Sequence, residues 1–263
     1  MPPVLCKAPV VQQAAVVPGV YRLAFTAPEI ARTVQPGQFV HLRVGSTHDP
    51  LLRRPFGVHD VDRECGTVSI LFQVVGRGTA ILAEVRPGGV LDVLGPLGRG
   101  FTLPAPALPV ALVAGGLGIA PLAFLLRRLA AAGIKGSLFQ GARTAGLLLG
   151  AEETVPGFKR RLATDDGTAG HRGSVVDLFT ASLVAGYRYA YVYAAGPYPM
   201  LRALATRMRE YRLEGEVSLE ERMACGLGAC LCCSTGVQSD SGTGYARVCA
   251  DGPVFPVREV AWS

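Results

Sequence analysis

The chain has 263 residues, 49% of them hydrophobic and only 17% charged, which provides for buried cores in two domains plus a small appendage. Its net charge of +6 comes from 26 basic residues scattered along the sequence, with no basic run interleaved with aromatics, so a nucleic-acid partner is not expected; some of the arginines suit anionic cofactors and the rest are solvated surface. Met1 to Gln13 has one lysine, two early prolines and no apolar core of signal-peptide length, so a cytoplasmic protein is expected.

Residues 1–102 read as a small antiparallel β-barrel. Alternating apolar positions appear at Tyr21, Leu23 and Phe25, at Val40, Leu42 and Val44, and at Val68, Ile70, Phe72 and Val74, with glycine and proline between them. Within this region Arg53-Arg54-Pro55-Phe56-Gly57 offers an arginine fork to a diphosphate. Gly76-Arg77-Gly78-Thr79 opens a short helix, expected over Thr79 to Val85, and offers N–H groups and a hydroxyl to the same anion. Either stretch alone could be merely structural. A Gly95-Pro96-Leu97-Gly98 turn is expected to close the region.

Thr102 to Leu126 carries no charge and is long enough to cross a bilayer, but Pro104, Pro106, Pro109, Pro121, Gly115, Gly116 and Gly118 interrupt it. Such breakers would leave backbone groups unpaired in lipid, so no membrane span is expected; the stretch reads as buried strand, glycine loop and buried helix. Residues 103–214 then alternate strand and helix in the manner of a parallel, Rossmann-like α/β sheet: a strand at Val110 to Ala114, a helix at Pro121 to Ala132, a strand at Ser137 to Gln140, a helix at Val175 to Leu183, a strand at Tyr189 to Ala194 and a helix at Met200 to Tyr211. Ala114-Gly115-Gly116-Leu117-Gly118-Ile119-Ala120-Pro121 lies where a strand meets a helix. Glycines there let the main chain approach a pyrophosphate, and Pro121 suits a first helical turn, although a tight turn without a ligand has the same form.

Residues 215–263 turn to glycine, cysteine and short polar segments, too little for a core without a staple. Of seven cysteines, four crowd into positions 225 to 233, which in a chain without an export signal favours a metal or cluster site over disulfides. Cys225, Cys230 and Cys233 stand in C-x4-C-x2-C spacing with Cys249 farther on, the plant-type ferredoxin pattern for a [2Fe-2S] cluster. Gly226, Gly228 and Ala229 let the backbone close around the core and aim N–H groups at its sulfurs. Zinc could also use four cysteines, but zinc sites usually show C-x2-C pairs. Cys232 is expected to point away, and Cys6 and Cys65 to be inert. His41, His48, His59 and His171 show no ligand or triad spacing and are expected to be surface or barrel residues.

Together these features resemble the ferredoxin-NADP reductase superfamily and, within it, the electron-transfer subunits of two-subunit, NAD-linked dihydroorotate dehydrogenases. The most specific stretches are Ser218-Leu219-Glu220, Met223 through Cys230, and Arg247 through Phe255. The resemblance implies FAD on Arg54, Pro55, Phe56 and Gly57, on Leu71, Phe72 and Gln73, and on Gly78 and Thr79. It implies NAD on the Gly115, Gly116, Gly118 and Pro121 loop, with Asp165 and Asp166 near the ribose and Gly196 and Pro197 beside the nicotinamide. It further implies a partner subunit that oxidises dihydroorotate on FMN, two of each subunit in the complex, electrons passing singly through the cluster to FAD and then as hydride to NAD+, and no acid or base catalyst in this chain.

Two departures stand out. The family usually has serine at the position of Gly57, and often cysteine at that of Ala195. The rival readings are a ferredoxin-dependent transhydrogenase subunit, where the first cluster ligand tends to be aspartate and not cysteine, a hydrogenase flavin subunit, and, in another class, a redox-sensing or zinc-stabilised binding module.

Overall fold

A computed structural model describes residues 2–45, 49–103, 109–150, 155–239 and 242–262; His48, Pro104 and Pro106 lie outside them. The N-terminal part is a closed antiparallel barrel of β1 (Val4–Val17), β2 (Val20–Thr26), β3 (Phe39–Arg43), β4 (Arg54–Asp62), β5 (Thr67–Gln73) and β6 (Val90–Leu97), in the order β1-β2-β5-β4-β3-β6. Leu23 and Phe25 of β2, Val40 and Leu42 of β3 and Val68, Ile70 and Phe72 of β5 fill its core, as period-two alternation requires. Two helices accompany it, α1 (Pro28–Thr33) and α2 (Arg77–Ala83).

The sequence reading differs from the barrel in two places. Residues 95–97, expected as a turn, finish strand β6, and the chain turns only at Gly98, where φ is +74° and the backbone closes on Pro253. The N-terminal segment, which shows no apolar alternation, is the longest strand of the barrel and hydrogen-bonds to both β2 and β6.

Beyond residue 109 follow β7 (Val110–Gly115), α3 (Ile119–Ala131), β8 (Gly136–Ala142), β9 (Phe158–Thr164), β10 (His171–Arg172), α4 (Val175–Val184), β11 (Tyr191–Ala195), α5 (Tyr198–Glu210) and β12 (Gly215–Ser218). They form a seven-stranded sheet, β10-β9-β8-β7-β11-β12-β15, whose last strand is β15 (Val254–Pro256), the only one hydrogen-bonded antiparallel to its neighbour. The doubly buried strand β7 reads as a continuous apolar run, whereas Phe158-Lys-Arg-Arg-Leu-Ala-Thr164 has no apolar alternation and gives no strand signal. Helix α3 is buried on nearly every side because it fills the seam between sheet and barrel, where Val20 and Leu71 meet Leu122 and Leu126. No helix among the described residues is long and apolar enough to cross a membrane.

Strands β12 and β15 tie residues 215–263 into this sheet. Between them lie the cysteine loop and a hairpin of β13 (Ser234–Ser239) and β14 (Gly242–Arg247). Cys233, Val248 and Cys249 belong to the same hydrophobic core as Phe39 and Leu97 of the barrel and Val192 and Val217 of the sheet. The C-terminal segment therefore gains its apolar cover from both larger units.

Candidate functional site

The cysteine loop is irregular backbone held open by positive φ angles at Gly226 (+72°), Gly228 (+81°) and Leu231 (+59°). That conformation turns main-chain N–H groups inward onto sulfur. Leu227 donates to Cys225 Sγ at 3.3 Å, Gly228 to Cys249 Sγ at 3.1 Å, and Cys249 to Cys233 Sγ at 3.4 Å. The Leu227 N–H, helped by those of Cys230 and Ala229, pulls the Cys225 thiol down to about 6. Burial pushes Cys249 up to about 12, and the adjacent Cys233 thiol pushes the same way. Two thiols so close in an apolar pocket do not ionise together without a compensating cation, which a bound metal supplies.

The four sulfurs fall into two pairs. Cys225 and Cys230 hydrogen-bond through their side chains, as do Cys233 and Cys249, and Cys225 lies close enough to act electrostatically on Cys249. Two pairs suit a cluster of two irons. Cys232 is exposed, Cys6 is half-buried in β1, and Cys65 is exposed in a turn.

Arg247 braces the loop from outside, a role absent from the sequence reading. Its Nε donates to Asp251 Oδ2 at 2.9 Å, its second guanidinium nitrogen to Asp251 Oδ1 at 3.0 Å, and Nη1 to the Gly228 carbonyl at 3.2 Å. The i,i+4 spacing of Arg247 and Asp251 was the available signal, but not its target 19 residues earlier.

Beside the loop runs a groove of about 810 Å³. One wall is barrel, with Pro55, Phe56, Gly57, Leu71, Phe72, Gln73 and Thr79; the other is the strand-to-helix loop, with Gly115, Gly116, Gly118 and Pro121. Asp165, after β9, and Gly196 and Pro197, after β11, line it on opposite sides of β7, and Ser218, Leu219, Glu220 and Met223 bring the cysteine-bearing segment to it. Most residues picked from the sequence for the two nucleotides thus line one concavity. Gly118 makes the closest approach: a Cβ there would sit 2.1 Å from the Ala195 carbonyl oxygen.

Several expectations divide on inspection. Arg53 and Arg54 turn to different partners, as neighbouring residues of an extended chain do, which leaves only Arg54 beside Gly78. Arg53 pairs with Asp92 at 2.6 Å and donates to its carbonyl at 3.0 Å, whereas Arg54 lies against Gly78, whose Cβ would fall 2.4 Å from Arg54 Nε. The Thr79 hydroxyl accepts the N–H groups of Val75 and Gly76 at 2.9 and 3.1 Å, closing its own turn while the residue still borders the groove. Asp165 lines the groove, but Asp166 Oδ1 accepts the N–H and hydroxyl of Thr168, which hold its carboxyl below the usual range.

Arg143 and Glu220 also line the groove and escaped the sequence reading as ligand contacts. Glu220 is exposed, yet desolvation by the surrounding protein raises its carboxyl above the usual range. His41 and His59 are barrel residues, but both are buried, at 0% and 7% exposure.

Comparison with known proteins agrees with this geometry. Residues 220–261 match the family model described as the iron-sulfur cluster binding domain of dihydroorotate dehydrogenase B. Over 248 residues the chain is 44% identical to the dihydroorotate dehydrogenase B (NAD(+)) electron transfer subunit of Desulforamulus reducens, covering 94% of each. Over 242 residues it is 43% identical to the same subunit of Bacillus caldolyticus, covering 91% of this chain and 92% of that one. Among solved structures, the NADH-dependent reduced ferredoxin-NADP oxidoreductase superposes with a TM-score of 0.87 at 30% identity, over 97% of this chain and 90% of that one. The ferredoxin reductase of carbazole 1,9a-dioxygenase shares the fold, with a TM-score of 0.70 at 21% identity over 81% of this chain and 67% of that one.

Proposed function

We propose, from the premise that this chain belongs to the family of electron transfer subunits of dihydroorotate dehydrogenase B (NAD+), that it carries electrons from a catalytic subunit oxidising dihydroorotate to orotate on to NAD+. The observation that carries the reading is the single groove: barrel residues suited to FAD, a glycine loop suited to NAD and the segment leading to four paired thiols all border it. Bound at these places, a [2Fe-2S] cluster exchanges single electrons, a flavin takes them singly and releases them as a pair, and nicotinamide accepts the pair as hydride.

Cys225, Cys230, Cys233 and Cys249 would hold the cluster, and the N–H groups of Leu227 and Gly228 stabilise the thiolate charge. Arg54, Pro55, Phe56, Gly57, Leu71, Phe72, Gln73, Gly78 and Thr79 form the FAD wall, with the Arg54 guanidinium and the backbone at Gly78 suited to its diphosphate. Gly115, Gly116, Gly118, Pro121, Asp165, Gly196 and Pro197 form the NAD side. Asp166 shapes the turn beneath the ribose position through Thr168.

The catalytic partner, an FMN enzyme present in two copies with two of this chain, docks at the rim where Leu227, Cys230 and Leu231 are exposed. Its site of action on this reading is the cytoplasm, where reducing conditions keep thiols available to a cluster.

The test is anaerobic purification with iron, sulfide and flavin analysis of parent and Cys249→Ser. The parent should hold two irons, two sulfides and one FAD per chain, as a [2Fe-2S] flavoprotein requires, and the variant should lose the cluster while keeping the flavin. A full cluster signal in the variant, or no iron and sulfide in the parent, would refute the reading.

A further inference from the structure

His41 has no task in the groove and is fully buried, and neither ring nitrogen meets a partner at full hydrogen-bond geometry. Buried polar atoms left in that state are costly, so native folds rarely keep them without a use. Its surroundings say what the use is. Val40 and Leu42 point into the barrel core, so Phe39 and His41 project from the outer face of β3. There Phe39 packs in the core that contains Cys233 and Cys249, and its ring meets that of His41 edge to face at 6.5 Å.

The cysteine loop lies directly on the imidazole. A Cβ on Gly226 would fall 2.5 Å from His41 Nδ1 and 3.1 Å from Cε1. The backbone carbonyls of Arg53, on the barrel side, and Cys225, on the loop side, both act on the ring. A neutral imidazole carries one N–H and one bare nitrogen, and the carbonyls on its two sides suit the N–H.

We propose that His41 is a positioning residue for the cluster: its ring supports the Cys225–Gly226 peptide, and its N–H secures the backbone carbonyl of Cys225, the first cluster ligand. It acts through that peptide and not on reacting atoms. Because Phe39, two residues away on the same strand, borders the groove, the contact fixes the loop relative to the flavin wall and keeps water from the inner side of the sulfurs. The inference rests on the reading of the four cysteines as [2Fe-2S] ligands.

The experiment compares the full chain with its catalytic partner as parent, His41→Leu and His41→Asn, the last retaining a donor at the Nδ1 position. Iron loss to a ferrous chelator, the cluster midpoint potential and g-values by EPR-monitored titration, and the flavin potential as internal control are measured. His41→Leu should lose iron on the order of 10- to 100-fold faster, the usual penalty for removing a partner of a metal ligand, and should shift the cluster potential and g-values while the flavin potential stays put. His41→Asn should recover most of the difference. Parental iron loss and potential in His41→Leu, or no recovery in His41→Asn, would overturn the proposal. If His41→Leu does not fold, Gly226→Ala probes the same contact from the loop: faster iron loss supports it and a parental rate overturns it. A parent without iron and sulfide overturns the ligand reading and this inference with it, whereas an iron-loaded parent with indifferent variants overturns this inference alone.

Discussion

The backbone N–H of Gly228 points at the sulfur of Cys249 across 3.1 Å, although 21 residues separate them. The contact joins the tight cysteine loop to the one proposed ligand outside it, and it depends on the Gly228 φ of +81°. A Cβ at that position would approach the Ala250 Cβ to 2.9 Å. Gly228→Ala should therefore lower cluster occupancy at least severalfold with FAD content intact, since a left-handed alanine costs about 1–2 kcal/mol before the clash is counted. Iron and sulfide per flavin in purified protein measure the outcome; a parental ratio would show that the loop relaxes without losing its grip.

Gly118 admits no side chain for a different reason, the Ala195 carbonyl oxygen 2.1 Å from the ideal Cβ. Gly118→Ala should push the strand-to-helix loop away from β11, lower the melting temperature by about 5 °C, and weaken NADH binding more than FAD binding. Calorimetry and NADH titration of the flavin absorbance report the two effects. Unchanged nucleotide affinity would mean that this loop is not the nucleotide's seat.

Gly57 is under no such constraint. A Cβ there meets only Pro121, at 3.7 Å, an ordinary contact. Gly57→Ser should fold with a melting temperature within about 2 °C of the parent and should speed NADH-driven flavin reduction, because the added hydroxyl can reach the flavin edge from the groove wall. Stopped-flow absorbance decides; a slower reaction would show that the main chain or water already fills that role.

His59 sets a pH dependence of stability. Burial, with the Arg127 charge adding to it, lowers its pKa to about 4, against an ordinary value near 6.5. The unfolded chain therefore binds a proton that the folded chain refuses, so this contribution is intact above the unfolded value and is lost as pH falls from about 6.5 toward 4. Between about pH 7.5 and pH 5 the loss amounts to about 2 kcal/mol. His59→Gln should flatten that segment of the urea-midpoint curve; a curve parallel to the parent's would assign the acid sensitivity to other groups.

Much of the site was legible because its determinants are local. A C-x4-C-x2-C loop needs glycines at fixed offsets to turn N–H groups onto sulfur, and a strand-to-helix glycine loop needs only its own backbone to receive a pyrophosphate. Alternation in β3 and β5 announced which side chains enter the barrel core. Strands without that pattern were silent: β9 carries Lys159, Arg160 and Arg161 in succession, and β1 mixes Lys7, Pro9, Gln12 and Gln13 into its apolar residues without a period of two.

From the residues alone came the four candidate cysteine ligands, the glycine loop and the order of barrel, α/β sheet and cluster segment. Tertiary structure alone decided that Arg53 turns to Asp92 while Arg54 turns to Gly78, that Asp165 borders the groove while Asp166 caps a turn, and that β12 and β15 complete the sheet. It also seated His41 under Gly226, 185 positions along the chain. Periodicity states which face of a strand is covered, but not by what, because the covering group is chosen by packing between distant segments.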